Sequence, residues 1–187
     1  RQMLWIIAED SNVIDPVVTR LLKCSQIPFV YFSYGPTHLY GNAQKNALLQ
    51  FVVEMTRSFN FHGNIHPLDD DGYALAEGFE LSYGIRKWGL LPNTGLGPEG
   101  MEYAAIENGK VVMHAGWAER KYPFDYNMLI FNSNIFDKLD PMTNLFWPYP
   151  GGGGESEFAD IHLTSLQEVE VPCHKCQYLF YNTMIAP

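Results

Sequence analysis

Short apolar runs alternate with amphipathic segments through the first half of the chain, and this alternation constrains the fold more than any other feature. The run Leu4–Ala8 ends at Glu9-Asp10, which is typical of a buried strand of a parallel sheet. Asp15-Pro16 then predicts a helix start, with an N-cap followed by proline at the first helical position. Further apolar patterns predict a strand over 28–32, a helix over 42–55 and a strand leading into Asp69. The order strand, helix, strand, helix, strand predicts an α/β fold with a mostly parallel central sheet.

The second half has a different character, because its apolar segments are joined by turns. Segments 83–92 and 100–116 predict strands, and Asn108-Gly109 predicts a hairpin turn within the second of them. The remaining predictions are an apolar segment over 124–131, a loop over 148–154, a short helix over 155–166 and a last strand over 178–181. No long linker divides the chain, so residues 1–187 are expected to form a single domain.

Composition narrows the class of function. The chain has 187 residues, of which 47% are hydrophobic and 18% charged, a balance typical of a globular protein. With 21 acidic against 12 basic residues the formal net charge is -9, which argues against nucleic acid or an anionic membrane as a partner.

Cysteine usage is sparse. Three cysteines are too few for a disulfide scaffold, and Cys173 and Cys176 form a lone C-x-x-C. Without a second ligand pair, the sequence favours ordinary thiols over a zinc or redox site. The absence of N-x-[ST] sequons and these unpaired cysteines permit a cytoplasmic location.

Asp69-Asp70-Asp71 is the strongest local signal for a site. Three adjacent carboxylates repel one another unless a cation lies among them, and their hard oxygen atoms suit Mn²⁺ or Mg²⁺ bridged to substrate phosphates. An acidic surface turn ending at Asp71-Gly72 is the alternative. Glu9-Asp10, at the end of the first predicted strand, is either a second part of such a site or a solvated strand end.

A glycine run precedes the other candidate group. Gly151–Gly154 permits a hinge or a close backbone approach, and Glu155 directly follows it. A carboxylate at a helix start is either a general base or an acid stabilised by the helix dipole.

Taken together in chain order, these segments resemble the inverting β-1,3-glucuronyltransferases and their plant xylan-synthesis relatives, which form glycosyltransferase family 43. Leu4–Ser11 resembles the family's W-I-V-V-E-D-A strand, and Asp69–Tyr73 resembles its metal-binding D-D-D-N-x-Y. The other similar segments are Gly41–Leu48 with G-x-x-Q-R-N-x-A-L, Asn108–Val112 with G-K-V-V, Tyr122–Asn134 with R-P-F-A-I-D-M, and Gly154–Ser156 with Q-E-S-S. The resemblance covers nearly the whole chain. It implies a GT-A-like, Rossmann-like fold, a nucleotide-sugar-binding half over 1–82 and an acceptor-binding half over 83–187.

The resemblance also implies roles for donor-binding residues. Asp71 would ligate Mn²⁺ or Mg²⁺, Asp69 and Asp70 would hold the ribose of a UDP-sugar, and Asp10 would hold the uridine. Lys45 would contact the donor at a position where the family has arginine.

A further implication concerns the reaction. Glu155 would be the base that takes a proton from a glycan hydroxyl as that oxygen displaces UDP with inversion. Glu157 is the alternative base, because a small shift of the loop would exchange the two.

Several residues depart from the family pattern. Lys45 lacks the bidentate fork of arginine, and Asn182-Thr183-Met184 replaces H-T-R, so a neutral donor sugar such as xylose, glucose or galactose is expected rather than a uronic acid. Asn127 replaces an aspartate, and Tyr122 replaces an arginine that contacts the acceptor. The family's first strand would precede residue 1, so the expectation is a shortened relative or one piece of a longer chain. A homodimer is also compatible with the sequence, and the family resemblance implies the Golgi lumen.

Two other functions remain open at the level of sequence. A catalytically silent relative would bind a nucleotide sugar or a partner enzyme without turnover. A metal-dependent phosphohydrolase would use the aspartate run alone.

Overall fold

The computed structural model describes residues 3–38, 41–95, 100–137, 147 and 154–173, together with the backbone of residues 180–182. It is a mixed α/β structure. The helices are α1 (Pro16–Ser25), α2 (Asn42–Phe59), α3 (Ala76–Ser82) and α4 (Glu155–His162). The strands are β1 (Trp5–Glu9), β2 (Phe29–Ser33), β3 (Asn64–Ile65), β4 (Gly72–Ala74), β5 (Trp88–Leu90), β6 (Asn93–Thr94), β7 (Met101–Glu107), β8 (Lys110–His114), β9 (Leu129–Asn132) and β10 (Phe180–Asn182).

The chain divides into two compact units. The first comprises Arg1–Phe59 and Asp140–Gly154, and the second comprises Asn60–Leu139 and Glu155–Pro187. The sequence-based expectation of a single domain remains a prediction.

The first unit contains β1 and β2 paired in parallel, with Trp5 opposite Phe29 and Glu9 opposite Ser33. The side chain of Asp15 accepts hydrogen bonds from the backbone N–H groups of Val17 and Val18, so the predicted N-cap of α1 is confirmed. Helix α2 starts at the predicted Asn42 and runs beyond the predicted end at residue 55. The strand-helix-strand-helix order predicted for this part of the chain is therefore confirmed.

The second unit contains two small sheets, with strand orders β4-β10-β6-β7-β8 and β3-β9-β5. Apart from the single parallel contact between β10 and β6, their strand pairs are antiparallel. The hairpin β7–β8 is confirmed, and Asn108 (φ 51°) and Gly109 (φ 75°) take the left-handed conformation that its tight turn requires.

The mostly parallel central sheet is the part of the fold prediction that does not appear in the described residues. Parallel pairing there is limited to β1–β2, the β10–β6 contact and an isolated bridge between Gly89 and Glu170. The pattern of the first half predicts three parallel strands, whereas the third, β3, pairs antiparallel with β9. A strand's apolar run does not specify the direction of its partner when that partner lies far along the chain.

An aromatic cluster fills the core of the second unit. Trp88, Phe131, Phe136 and Phe158 are almost completely buried, and the Trp88 ring centroid lies 5.3 Å from that of Phe131 and 5.6 Å from that of Phe158. The imidazole of His162, at the end of α4, completes the cluster, 4.9 Å from the Phe158 centroid. This packing anchors α4 by one face, so that the start of the helix is held in a defined place.

The pKa of His162 is lowered to about 4 because burial disfavours the charged imidazolium. The unfolded chain binds this proton near pH 6.5, so stability is fully present above that pH and is lost as pH falls toward 4. We expect His162→Phe to remove up to about 3 kcal/mol of acid-induced destabilisation, measured by urea unfolding between pH 7 and 4.5. The pKa of His66 is also lowered to about 4 by burial, so the variant should still lose the part of its stability at low pH that is due to His66. His62→Gln, at an exposed position, is the control; an unchanged pH dependence in His162→Phe would contradict the assignment.

Cysteine pairing differs from the expectation. Cys24 is free and exposed, whereas Cys173 is disulfide-bonded, so the prediction of ordinary thiols is wrong at Cys173. Sequence spacing alone cannot reveal pairing, which depends on how the backbone brings two sulfur atoms together.

No helix in the described part of the chain is both long and apolar enough to cross a bilayer.

Candidate active site

Asp69, Asp70 and Asp71 lie in the turn that leads into β4. Asp69 and Asp71 are half-buried, while Asp70 is exposed. The backbone N–H of Asp69 donates a hydrogen bond of 2.9 Å to Oδ1 of Asn127. The start of the carboxylate run is thereby fixed to a buried residue of the segment that precedes β9.

A buried polar network supports this attachment. Oδ1 of Asp125 accepts hydrogen bonds from Nδ2 of Asn93 and from the backbone N–H of Asn127, both at 2.9 Å. Asn93 and Asn127 are almost fully buried. The backbone carbonyl of Asn127 also lies 3.1 Å from Nε2 of His66, which donates to it in the matching tautomer. These buried hydrogen bonds hold the segment in one arrangement, and through Asn127 they orient the backbone at Asp69.

Electrostatics shows which acids lie near the network. The pKa of Asp125 is raised to about 6, chiefly by burial and also by the negative charges of Glu102, Asp69 and Glu155, while the hydrogen bond from the backbone of Asn127 acts in the opposite direction. Burial likewise raises the pKa of Tyr126, with Asp69 and Glu155 adding to the effect. Asp69 and Glu155, distant in sequence, are therefore within electrostatic reach of the same two residues.

Glu155 is the first residue of α4 and is only 8% exposed. Gly154, just before it, has φ 108°, a conformation that residues with a Cβ rarely adopt. The guanidinium of Arg120 lies 3.4 Å from Oε2 of Glu155 and stacks 4.8 Å from the ring centroid of Trp117. The Arg120 guanidinium thus orients the Glu155 carboxylate, and a general base must be held in a defined orientation.

Tyr122 ties both ends of α4 to the preceding segment. Its backbone N–H donates to Oγ of Ser156 at 3.0 Å, and its hydroxyl donates to the carbonyl of Leu163 at the same distance. Tyr122 is 1% exposed. This residue, which stands where the resembling family has an acceptor-contacting arginine, thus supports the helix that carries Glu155.

The other two predicted site residues belong to the first unit. Oδ1 of Asp10 accepts hydrogen bonds from the backbone N–H of Thr37 at 2.8 Å and from Nε2 of Gln44 at 2.7 Å. Nζ of Lys45 lies 5.0 Å from the ring centroid of Trp147, within cation–π range. The backbone of Trp147 is held in turn by the side-chain amide of Asn46.

Comparison with models of protein families shows which family the chain belongs to. The sequence model of glycosyltransferase family 43 matches residues 1–184. The chain belongs to glycosyltransferase family 43. A comparison with curated protein sequences gave no match. Membership implies glycosyl transfer, and with it a sugar donor and an acceptor.

For a member of glycosyltransferase family 43, a divalent ion is expected at the aspartate run. The described residues contain no group of three His, Cys, Asp or Glu side chains arranged as a metal cage. Ions such as Mg²⁺ are commonly bound by one or two carboxylates together with substrate phosphates, so a complete protein cage is not required. Half-buried Asp71, with hard oxygen atoms and two further aspartates directly before it in the chain, fits such an ion.

Sequence reasoning named candidate acids for this family 43 member but missed the residues that hold them. Arg120 and Asn93 were not singled out, and Gln44 and Asp125 appeared only as parts of segments similar to the family's. The one available signal was an aspartate placed inside the apolar run 122–131, since a buried acid requires hydrogen-bond partners. The predicted segments at 148–153 and 183–184 lie outside the described residues.

Proposed function

We propose that this family 43 member is a GT-A-like, metal-dependent, inverting glycosyltransferase that moves a sugar from a UDP-sugar to a glycan hydroxyl. The observation that supports the proposal is that Asp69 and Glu155 both lie near enough to Asp125 and Tyr126 to raise the pKa of each. A donor-binding acid and a base are the two groups that such a transfer needs close together.

Donor binding is assigned residue by residue. Asp71 would hold Mn²⁺ or Mg²⁺, Asp69 and Asp70 the ribose, and Asp10 the uridine. The bound ion would supply charge neutralisation for the diphosphate. Lys45 is a single point charge that also contacts Trp147, so it offers no bidentate fork for a carboxylate. The donor sugar is therefore proposed to be neutral, such as xylose, glucose or galactose.

The transfer step is a single displacement. A carboxylate oxygen of Glu155 takes the proton of the acceptor hydroxyl while that oxygen forms a bond to the anomeric carbon. The bond from that carbon to the diphosphate breaks on the opposite face, and its electron pair leaves with UDP. Arg120 keeps the Glu155 carboxylate oriented before the acceptor binds, and the burial of Glu155 limits access of water as a competing nucleophile.

The proposal is tested by calorimetric titration with UDP, UDP-xylose, UDP-glucose, UDP-galactose and UDP-glucuronate, first with Mn²⁺ and then with EDTA. We expect UDP binding that depends on the ion and one neutral UDP-sugar that binds more tightly than UDP. Absence of UDP binding in both conditions would overturn the proposal. Tight binding without transfer to any glycan acceptor would instead favour a catalytically silent relative.

A further inference from the structure

The Asp10 carboxylate is held by only one of its two oxygen atoms. Oδ1 receives both hydrogen bonds, from the backbone N–H of Thr37 and from Nε2 of Gln44. Oδ2 has no hydrogen-bond partner in the described part of the chain, and Asp10 is exposed to solvent. One oxygen atom therefore fixes the side chain, while the other is available to accept a hydrogen bond from a ligand.

Gln44 lies in the first turn of α2, and its side chain is held in place by further hydrogen bonds. Its side chain is 7% exposed, and Nε2 also donates to the carbonyl of Tyr34 at 2.7 Å. Because Asp10 Oδ1 and the Tyr34 carbonyl are both acceptors, the amide end that faces them must be the NH₂ group. The hydroxyl of Thr37 lies 3.2 Å from Oε1 and completes the partners of the amide. A buried amide with its donors and acceptor satisfied holds a single orientation.

Gly35 closes the other side of Asp10. A Cβ at this position would lie 2.3 Å from Asp10 Oδ1, 2.7 Å from its carbonyl carbon and 2.8 Å from the backbone nitrogen of Ser11. Two of these atoms belong to the backbone and cannot move aside cheaply. Any larger residue would displace the carboxylate, so Gly35 and Gln44 together define where Oδ2 points.

We propose that Gln44 is a positioning residue that makes Asp10 selective for a nucleobase with an imide N–H. A carboxylate oxygen accepts a hydrogen bond from N3–H of uracil, whereas N3 of cytosine carries a lone pair and is repelled. This inference rests on the proposed function, in which Asp10 holds the uridine. It adds that base selectivity comes from the Gln44 contact and not from Asp10 alone.

The wild-type protein gives the first test. Titration with UDP, CDP and N3-methyl-UDP should show UDP binding roughly 10- to 100-fold more tightly than the other two, since one charge-assisted hydrogen bond is at stake. Equal affinity for UDP and N3-methyl-UDP would overturn the proposal. This measurement involves no substitution, so it does not depend on whether a variant folds.

The second test compares Gln44→Met with Gln50→Met on the same helix. Gln50 is exposed and its side-chain amide donates to Glu54 one turn along the helix, which makes it a matched control. Gln44→Met should weaken UDP binding by about 10-fold while leaving CDP binding unchanged, so that the preference nearly disappears. Gly35→Ala should act in the same direction, and circular dichroism should confirm that each variant is folded.

The outcomes separate this inference from the function on which it rests. If Gln44→Met weakens UDP and CDP equally, Gln44 is merely structural and the proposal is wrong, while the nucleotide site stands. If the wild-type protein binds no nucleotide at all, the proposed function fails and the inference fails with it.

Discussion

Glu155→Gln is expected to lower the turnover of sugar transfer by about 10²- to 10⁴-fold, the usual contribution of a general base. The amide has nearly the same shape as the carboxylate but cannot take a proton from the acceptor hydroxyl. Glu155 lies at the start of α4, and its contact with Arg120 is long, at 3.4 Å. Losing the charge there should therefore leave the helix in place. Turnover is measured with the donor found by titration, and UDP affinity should remain within about twofold.

Glu157→Gln is the matched control, since it makes the same chemical change two residues along the same helix. Glu157 is exposed, whereas Glu155 is nearly buried beside the acidic network. We expect the control to transfer sugar at close to the wild-type rate. A loss in Glu157→Gln with full activity in Glu155→Gln would exchange the two assignments, and full activity in both would show that neither is the base.

The parts of the fold that were predictable are those with strong local signals. Asp15-Pro16 specifies the start of α1 through a cap and a preset φ, and Asn108-Gly109 specifies the β7–β8 turn because both residues tolerate positive φ. Helix α3, over Ala76–Ser82, was not predicted: it is short, contains Gly78 and has no side-chain cap. Its helical state depends on tertiary contacts that no local pattern reports.

The same distinction between local signals and tertiary contacts applies to the candidate site. The acids Asp69 and Glu155 were predicted because each stands in a segment similar to the family's, and family membership is confirmed. Their roles stay predictions. The partners that orient them could not be foreseen, because Asn127 binds the backbone of Asp69 across 58 residues and Arg120 reaches Glu155 across 35. Hydrogen bonds over such separations depend on strand pairing, which the sequence patterns did not predict correctly.

Supporting residues and candidate acids also differ in how clearly a substitution would report on the function of the site. Replacing a supporting residue such as Asn127 would change both stability and the orientation of Asp69, because it is buried and has several partners. Replacing a half-buried acid changes the charge with little effect on packing. The carboxylate run is therefore the better place to test the ion.

Asp71→Asn is expected to remove the dependence of UDP binding on Mn²⁺ and to lower sugar transfer on the order of 100-fold or more. The amide keeps the size of the side chain but loses the negative charge that attracts the ion. Calorimetric titration of UDP with Mn²⁺ and with EDTA should then give the same affinity in the variant. The wild-type protein should bind UDP more tightly with the ion.

Asp70→Asn is the control for the loss of one negative charge from the same turn. Asp70 is exposed and is proposed to contact only the ribose, so its variant should weaken UDP binding but retain the effect of EDTA. If Asp71→Asn keeps the full response to EDTA and Asp70→Asn loses it, the ion is bound by Asp70 instead. If both variants respond to EDTA as the wild-type protein does, the aspartate run is an acidic turn, and the ion must be bound elsewhere.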